Sequence, residues 1–256
     1  MLERIRIYLN YVSWVIFRLL RRKVRNYTLY RDALKGKKGL EIGGPSSLFK
    51  KGNIIPVYPI IDSLDGFGFP MPVKWGGTTL KGGETFIYSN SKKPGHQFIG
   101  DSVNLGEVRS NSYDFILAAH VLEHIANPFR ALKDWRRVLK DGGALLLAIP
   151  NKDLMFDHKR PVTSLDHLID DFSKNIGEDD LSHLPEILEL TDISLDSYVP
   201  SAEFLKERGE CNYEHRNLHH HVFDANLMVE VITYFRMQIL SVDTAPPHHI
   251  VILARK

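Results

Sequence analysis

Histidine is the residue type in this chain whose placement most directly suggests chemistry. Of the twelve histidines, all but His96 lie at or after His120. His120 and His124 follow an apolar stretch, whereas His219 and His221 belong to a run of three. An imidazole takes up a proton near neutral pH, so it can act as a general base toward a hydroxyl nucleophile. If the run is extended, its first and third rings project to one side.

Other roles stay open for the polar residues of this half of the chain. His124 could be a structural partner within a helix, and the run of three could be solvated or cap the core. A metal site has the right ligand types in His183, Glu186, His219 and His221. Their spacing gives no support for such a site, so we expect no metal. Arg160 could pair with a phosphate or carboxylate of a substrate, or form an ordinary salt bridge.

A glycine pair follows the first buried stretch of the chain. Residues 39–42 read as a short strand that ends at Gly43 and Gly44, with Pro45 next. Two glycines permit a tight turn and let the backbone approach a ligand closely. Pro45 suits the first turn of a following helix, whose free N–H groups would face an anionic part of the ligand. An ordinary turn is the alternative.

Acidic residues follow two further predicted strands. Pro56 and Pro59 argue against a central strand at their own positions, so the second strand is placed late, at residues 61–65. Asp65 then ends that strand, and its carboxylate could accept hydrogen bonds from the two hydroxyls of a ribose. Asp62 is the second candidate, and either acid could simply belong to a turn. The third strand spans residues 97–102 and contains Asp101 and Ser102.

A strand, a helix and a strand are predicted between residues 113 and 150. Residues 113–119 are a buried strand, Asn127 caps the following helix, and Pro128 occupies its first position. Asp141-Gly142-Gly143 ends the helix, and residues 144–150 form the next buried strand. Continuous apolar strands joined by a helix indicate a right-handed parallel unit covered on both faces.

These features occur in an order that resembles one enzyme family. The segments concerned are Leu40-Glu41-Ile42-Gly43-Gly44, Gly100-Asp101, Tyr113-Asp114-Phe115-Ile116, His120-Val121-Leu122-Glu123-His124 and Arg137-Val138-Leu139-Lys140-Asp141-Gly142-Gly143. The chain resembles the class I S-adenosylmethionine-dependent methyltransferases, and among them the type 11 group. The resemblance covers residues 37–150. The family usually has a third glycine in the first loop, where this chain has Pro45-Ser46-Ser47.

The resemblance implies a fold and a cofactor. The fold is α/β, a doubly wound Rossmann-like sheet of seven strands with the last strand antiparallel, together with an N-terminal helix and a substrate insertion. The cofactor is S-adenosylmethionine, and Asp101 would hold its adenine amino group, with Ser102 beside it. The expected cofactor-binding residues are Glu41, Gly43, Gly44, Asp65, Asp101, Ser102 and His120. The expected catalytic residues are His124, His219 and His221.

Length and composition bound the domain organisation. The chain has 256 residues, of which 43% are hydrophobic and 25% charged, as in an ordinary globular protein. Its net charge of +2 gives no reason to expect a nucleic acid as partner. With one cysteine, Cys211, an internal disulfide is excluded. We expect an amphipathic helix in residues 1–27 and a methyltransferase domain in residues 28–256, with an insertion at 151–223 that decides the substrate.

Two segments outside the resemblance suggest contacts. Residues 1–25 combine an apolar helical pattern with a basic run, and the apolar part is too short to span a bilayer. This helix either lies on an anionic membrane surface or packs on the catalytic domain or another subunit. We therefore expect a cytoplasmic protein, with the inner face of the membrane as an alternative site. Residues 66–96 form a long loop in which Trp75 either covers the ligand or anchors the loop.

The predicted function is methyl transfer to a small-molecule or glycan-like acceptor, with oxygen as the atom methylated. The saccharide acceptor follows from the polar, histidine-rich insertion. One rival is a non-catalytic subunit of the same fold that binds the cofactor and serves assembly or regulation. A nicotinamide-dependent oxidoreductase is a second rival, but it would require a regularly spaced loop of three glycines that this chain lacks.

Overall fold

A single sheet of eight strands organises the described part of the chain, which comprises residues 2–20, 22–70 and 80–256 of a computed structural model. Its spatial order is β3-β4-β2-β1-β5-β6-β8-β7. The strands are β1 (Lys38–Ile42), β2 (Ser63–Gly68), β3 (Gly83–Phe86), β4 (Gly95–Ile99), β5 (Tyr113–Ala119), β6 (Leu139–Pro150), β7 (Gln238–Ala245) and β8 (His249–Arg255).

The pairing confirms the doubly wound fold class. Strands β4, β2, β1, β5 and β6 run parallel, and β8 is antiparallel to both β6 and β7. The prediction of seven strands is one short, because Gly83–Phe86 lies in the long connection after β2 and pairs antiparallel with β4 at the edge of the sheet. This short strand lacks the continuous apolar run by which the central strands are recognised.

Helices cover both faces of the sheet. They are α1 (Leu2–Leu19), α2 (Tyr27–Leu34), α3 (Pro128–Val138), α4 (Leu165–Lys174), α5 (Leu184–Leu190), α6 (Ala202–Glu210), α7 (Asn212–His215) and α8 (Ala225–Tyr234). The predicted start of α3 is confirmed, since Asn127 Oδ1 accepts a hydrogen bond of 3.0 Å from the Arg130 amide. α8 begins in the same way, with the Leu227 amide donating to Asp224 Oδ1 at 2.7 Å.

Two apolar clusters form the core, one on each face. One cluster contains Trp135 of α3, Met228 of α8 and Ile116 of β5, all of which are fully buried. Phe115 and Tyr30 belong to the opposite cluster. Alternate residues of β5 therefore enter different clusters, which explains why this strand is apolar throughout.

The connection between β1 and β2 differs from the prediction. All of residues 43–62 are described, and they contain no α-helix, only a 3₁₀ turn at Ser47–Phe49 that Ser46 caps. The predicted helix after Pro45 is wrong, because the following apolar residues bury themselves as irregular chain in the core. They include Phe49, Ile54, Ile55, Val57, Tyr58 and Ile61. A helix N-terminus aimed at an anion is thus absent here.

The N-terminal helix only partly contacts the rest of the chain. Phe17 packs against the core cluster, and the Asn10 amide donates to the carbonyl of Pro247. Most of its other described apolar side chains are exposed, including Tyr8, Leu9, Tyr11, Ile16 and Leu19. Among the described residues, no helix combines the length and apolarity needed to cross a membrane. Trp75 lies outside the described residues.

Candidate functional site

The loop after β1 is packed tightly against its neighbours. Gly43 has a φ of +72°, and a Cβ on it would lie 2.5 Å from Val121 Cγ2. A Cβ on Gly44 would lie 2.2 Å from Cδ of Glu41. Glycine is required at Gly43 by both the positive φ and the close approach of the segment after β5. This loop therefore places bare backbone at the carboxyl end of the parallel strands.

Glu41 stabilises the loop after β1 through hydrogen bonds of its side chain. Its carboxylate is fully buried and accepts hydrogen bonds from the Ser46 amide at 2.9 Å and from the Tyr58 hydroxyl at 2.7 Å. Burial raises the pKa of Glu41 to about 7, although both hydrogen bonds oppose that shift. Because these hydrogen bonds occupy the Glu41 carboxylate, the residue positions the backbone of Gly43 and Gly44, which is expected to bind the cofactor.

Asp101 stands at the same edge of the sheet as Gly43. Ile42 of β1 is in register with Phe67 of β2, and Phe67 is in register with Phe98 of β4. β4 ends at Ile99, earlier than the predicted strand of residues 97–102, so Asp101 lies in the loop after it, and its carboxylate is 32% exposed. The neighbouring Ser102 uses its carbonyl to accept a hydrogen bond from the indole N–H of Trp135.

Asp65 is not at a strand end, so its predicted position is wrong. β2 begins and ends later than expected, at Ser63 and Gly68, which places Asp65 in its first half. The Asp65 carboxylate accepts hydrogen bonds from the Tyr113 hydroxyl at 2.6 Å and the His96 amide at 2.9 Å, and it pairs with Lys38 at 2.8 Å. These partners, not a ligand, account for its burial. Asp62 is exposed before the strand begins.

Arg216 connects the insertion to Asp101, a contact that no sequence pattern indicates. The residue has a φ of +52°, and its guanidinium donates to Asp101 Oδ2 at 2.7 Å. It also lies 3.0 Å from the buried carboxylate of Glu178 and 4.6 Å from the centre of the Phe69 ring. Burial raises the pKa of Glu178 to about 7, although Arg216 opposes the shift.

His120 follows β5 directly and is the half-exposed histidine of this edge. Its backbone has a φ of +54°, and its amide donates to the Ala148 carbonyl at 2.8 Å. The ring lies between two partners, with Nδ1 3.3 Å from Glu123 Oε1 and Nε2 2.8 Å from His249 Nδ1. A carboxylate at Nδ1 stabilises the protonated form of an imidazole, as a general base requires.

Glu123 stays ionised despite its burial. Burial alone would raise its pKa, but the contact with His120 and the neighbouring His124 and His219 lower the pKa to about 2. A buried carboxylate that is charged needs a cationic neighbour, a role that His219 can fill because its pKa is raised. His120 and Glu123 therefore form an imidazole–carboxylate pair, the acid–base unit, at the carboxyl edge.

His124 and His219, two of the expected catalytic residues, meet behind this unit. Their ring centres are 4.6 Å apart, and His124 Nδ1 lies 3.1 Å from the carbonyl of Leu218. Burial lowers the pKa of His124 to about 4. Burial opposes protonation of His219 too, but its hydrogen-bonded ion pair with the buried Asp157 raises its pKa.

His221 does not project to the same side as His219. Its Nε2 lies 3.0 Å from the Ala126 carbonyl. The centre of its ring lies 5.6 Å from the ring centre of His167 and 5.2 Å from that of His183. The prediction of one shared direction is wrong, because the run is not a regular strand. Between them, His220 faces the side-chain amide of Asn212 at 2.9 Å.

Arg160 fixes this run of histidines. Its guanidinium is 1% exposed and donates to the carbonyls of His219 and His220 at 2.7 and 3.1 Å. It also donates to Glu186 at 2.8 Å and lies 3.5 Å from Asp157. Of the two roles left open for Arg160, the structure shows the salt bridge. Glu186 is thereby occupied, and of the four residues weighed as a metal site only His183 and His221 meet.

The middle of the chain matches a known family. Residues 84–147 match the family model described as a methyltransferase domain, the type 11 group. This segment runs from β3 to β6 and contains Asp101, His120 and Glu123. Over these residues, about a quarter of the chain, the protein is similar to the methyltransferase domain of that family. The eight-stranded sheet, with its final antiparallel pairings, has the Rossmann-like arrangement.

The individual proteins that are similar to this chain match it over a short stretch or at low sequence identity. An uncharacterized protein of Methanocaldococcus jannaschii is 30% identical over 92 residues, which are 32% of this chain and 40% of the relative. The match thus spans less than half of the relative's length. A methyltransferase structure from Aquifex aeolicus has a TM-score of 0.45 at 11% identity, covering 91% of this chain and 89% of that one. One from Methanosarcina mazei has a TM-score of 0.46 at 15% identity, with coverages of 89% and 96%.

The residues at this edge of the sheet fit S-adenosylmethionine, the cofactor of the matched family. Gly43 is exposed although Val121 packs against it, and the partly exposed Asp101 carboxylate can accept hydrogen bonds from an adenine amino group. β2 ends at Gly68 and is followed by Phe69, so no carboxylate ends that strand. The cofactor's ribose must therefore find other partners.

Proposed function

We propose that this protein transfers a methyl group from S-adenosylmethionine to a hydroxyl of a small-molecule or saccharide acceptor. The observation that carries the proposal is the His120–Glu123 unit at the carboxyl edge of the sheet, where ligands of such sheets bind. A hydroxyl oxygen is a weak nucleophile until its proton leaves. An oxygen acceptor explains why a half-exposed histidine is backed by an ionised carboxylate.

The proposal gives each residue a task. The bound cofactor supplies an electrophilic methyl group on sulfur. The glycine loop, held by Glu41, binds the cofactor through backbone, and Asp101 accepts a hydrogen bond from its adenine amino group. His120 receives the acceptor's hydroxyl proton at Nε2 once the acceptor has displaced the hydrogen bond between that nitrogen and His249 Nδ1, and Glu123 at Nδ1 stabilises the imidazolium that forms. His124 and His219, which lie behind this unit, position it.

The substrate class rests on the residues of the insertion. Most polar side chains of segments 157–160 and 216–221 are buried and hydrogen-bonded within the protein, but the Arg216–Asp101 pair is partly exposed. Exposed polar groups of this kind recognise hydroxyl-rich molecules through hydrogen bonds better than they recognise apolar ones. A sugar or a polyhydroxylated small molecule suits such a pair.

The N-terminal helix supports a location at a membrane surface. Its exposed tyrosines and leucines are followed by the exposed basic residues Arg22, Lys23 and Arg25. Aromatic side chains at headgroup depth next to a basic run match an anionic lipid surface. We include peripheral binding of α1 to such a surface in the proposed function.

One experiment separates the enzyme from the non-catalytic alternative. Calorimetry with S-adenosylhomocysteine measures cofactor binding, and transfer of label from methyl-labelled S-adenosylmethionine to pools of nucleotide sugars and oligosaccharides measures turnover. Binding together with labelled product supports the proposal. Binding without transfer to any pool, unchanged in the His120→Asn variant, supports the cofactor-binding subunit instead.

A further inference from the structure

Four potential metal ligands meet inside the insertion, away from the acid–base unit. His167 and Asp171 are one turn apart on α4, His183 precedes the first residue of α5, and His221 lies in the chain before α8. One ligand atom of each lies within 4.8 Å of those of the other three. His167 Nε2 is 3.1 Å from His183 Nε2 and 3.2 Å from Asp171 Oδ2.

These separations match the spacing of ligands around a small cation. With metal–nitrogen and metal–oxygen bonds of about 2.0–2.1 Å, neighbouring ligand atoms of a tetrahedral zinc site lie about 3.3 Å apart. The two contacts of His167, at 3.1 and 3.2 Å, are both slightly shorter than that figure. Three imidazoles and one carboxylate are, moreover, ligand types that zinc accepts.

The hydrogen bonding of His221 and Asp171 also favours a metal site. His221 is 1% exposed, and its Nε2 is placed to donate to the Ala126 carbonyl, which leaves a lone pair on Nδ1. That Nδ1 is buried and has no hydrogen-bond partner. Asp171 Oδ2 forms no hydrogen bond either, although His167 Nε2 lies 3.2 Å and His221 Nε2 3.5 Å from it. Metal-binding histidines characteristically donate their other N–H to a backbone carbonyl. Buried atoms without partners are otherwise costly.

We propose that His167, Asp171, His183 and His221 bind one zinc ion. The ligands come from three separate segments of the insertion, so the ion joins α4, the start of α5 and the run of histidines into one unit. His167 is 39% exposed, which gives the ion a path from solvent. The site does not depend on the proposed methyl transfer, because none of its ligands belongs to the acid–base unit.

Two other groups of metal-ligand types occur in the described residues. They are His120 with His248 and His249, and Glu123 with His124 and His219. Each offers three side chains instead of four, and His219 already forms an ion pair with Asp157. The four-membered group is therefore the better zinc site, and the first three-membered group is the natural comparison.

The test uses the full chain, stripped of metal with a chelator and dialysed against ZnCl₂ or CoCl₂. Elemental analysis should find one zinc ion per chain, and cobalt should give the intense visible absorption of a tetrahedral site. His167→Asn and His183→Asn should each weaken zinc binding at least ~100-fold and abolish the cobalt band. His96→Asn and His249→Asn are the matched controls and should bind zinc as the parent does.

Three results would overturn the proposal. The parent chain could bind no zinc at micromolar concentrations, both ligand variants could retain zinc, or zinc could be lost in His249→Asn alone. Circular dichroism checks that each variant is folded. If His183→Asn does not fold, the half-exposed His167→Asn decides the matter by itself. Metal content and the cobalt spectrum are independent of methyltransferase activity, so failure here leaves the proposed function standing.

Discussion

Arg216 of the insertion donates a hydrogen bond of 2.7 Å to Asp101, the acid that follows β4. The contact joins the part of the chain expected to select the acceptor to the residue proposed to bind adenine. Because Arg216 is also 3.0 Å from Glu178 and lies over the Phe69 ring, it is held in this position by three neighbours. Cofactor binding at Asp101 must compete with this ion pair.

Arg216→Gln should therefore strengthen binding of S-adenosylhomocysteine by about 3–10-fold, since a partly exposed charged hydrogen bond of about 1 kcal/mol no longer competes. Asp101→Ala should weaken binding, because it removes the proposed partner of adenine. Calorimetry measures both, with Asp62→Ala as a control at an exposed acid outside the site. Equal or weaker binding by Arg216→Gln would show that Arg216 supports the cofactor pocket.

Exchange of His120 for asparagine should lower kcat by about 10²–10⁴-fold while affinity for S-adenosylhomocysteine stays the same. The imidazole is proposed to take the acceptor's proton, and asparagine cannot replace it in that role. His96→Asn, far from the site, is the matched control. Loss of cofactor affinity in parallel with kcat would instead place His120 among the cofactor-binding residues, as the sequence alone suggested.

Glu41 should make the protein less stable as the pH rises from about 4.5 to about 7. Its pKa is about 7 in the folded state and near 4.5 in the unfolded chain, so the folded state binds the proton more tightly in this window. The stabilisation is complete below the unfolded pKa and lost above the folded one, a change on the order of 3 kcal/mol. Urea unfolding across this range measures it.

Glu41→Gln should remove that part of the pH dependence, because the amide does not titrate. The exposed Glu84→Gln serves as the control and should follow the parent curve. A Glu41→Gln variant whose stability falls as steeply as that of the parent would refute this assignment.

Arg160→Met should destabilise the chain by about 3–5 kcal/mol. The substitution keeps much of the side-chain volume but leaves Asp157 without its buried cation and the carbonyls of His219 and His220 without donors. Urea unfolding gives the difference, and Arg31→Met at an exposed site should change stability by less than about 1 kcal/mol. A small effect at Arg160 would mean that water replaces its hydrogen bonds.

The α1 helix should bind vesicles that contain phosphatidylglycerol and not vesicles of phosphatidylcholine alone. Ile16→Ser combined with Leu19→Ser should abolish binding, since both side chains are exposed on the protein. Val162→Ser, an exposed apolar position elsewhere, is the control. Concentration-dependent self-association that the double variant removes, without any vesicle binding, would assign the helix to a contact between copies.

β5 and the start of α3 were predicted at their observed positions because their signals are local: Asn127 and Pro128 mark the helix start, and the apolar run before them has the length of a buried strand. The predicted helix end at Asp141-Gly142-Gly143 is wrong, because α3 ends at Val138 and these residues already belong to β6, which begins at Leu139 and not at residue 144. The position of Asp65 was not predictable in this way. Prolines excluded an early strand, but only pairing with β1 fixes where β2 begins.

The partners of the histidines also lay beyond the sequence pattern. His221 meets side chains from α4 and from the start of α5, and these contacts depend on how the insertion folds back on itself. Alternation within the run could not reveal this, because neighbouring histidines are fixed by Asp157, Asn212 and the Ala126 carbonyl. Arg216 likewise reaches Asp101 from a left-handed backbone position that no periodicity marks.

The position of β8 between β6 and β7 constrains how the chain can assemble. β6 and β7 have no direct ladder to each other and are joined only through residues 249–255. β7 therefore belongs to the sheet only through β8, and displacement of residues 249–255 would detach both strands. The same displacement would leave one side of β6 unpaired, the strand whose Ala148 carbonyl holds the His120 amide on its other side.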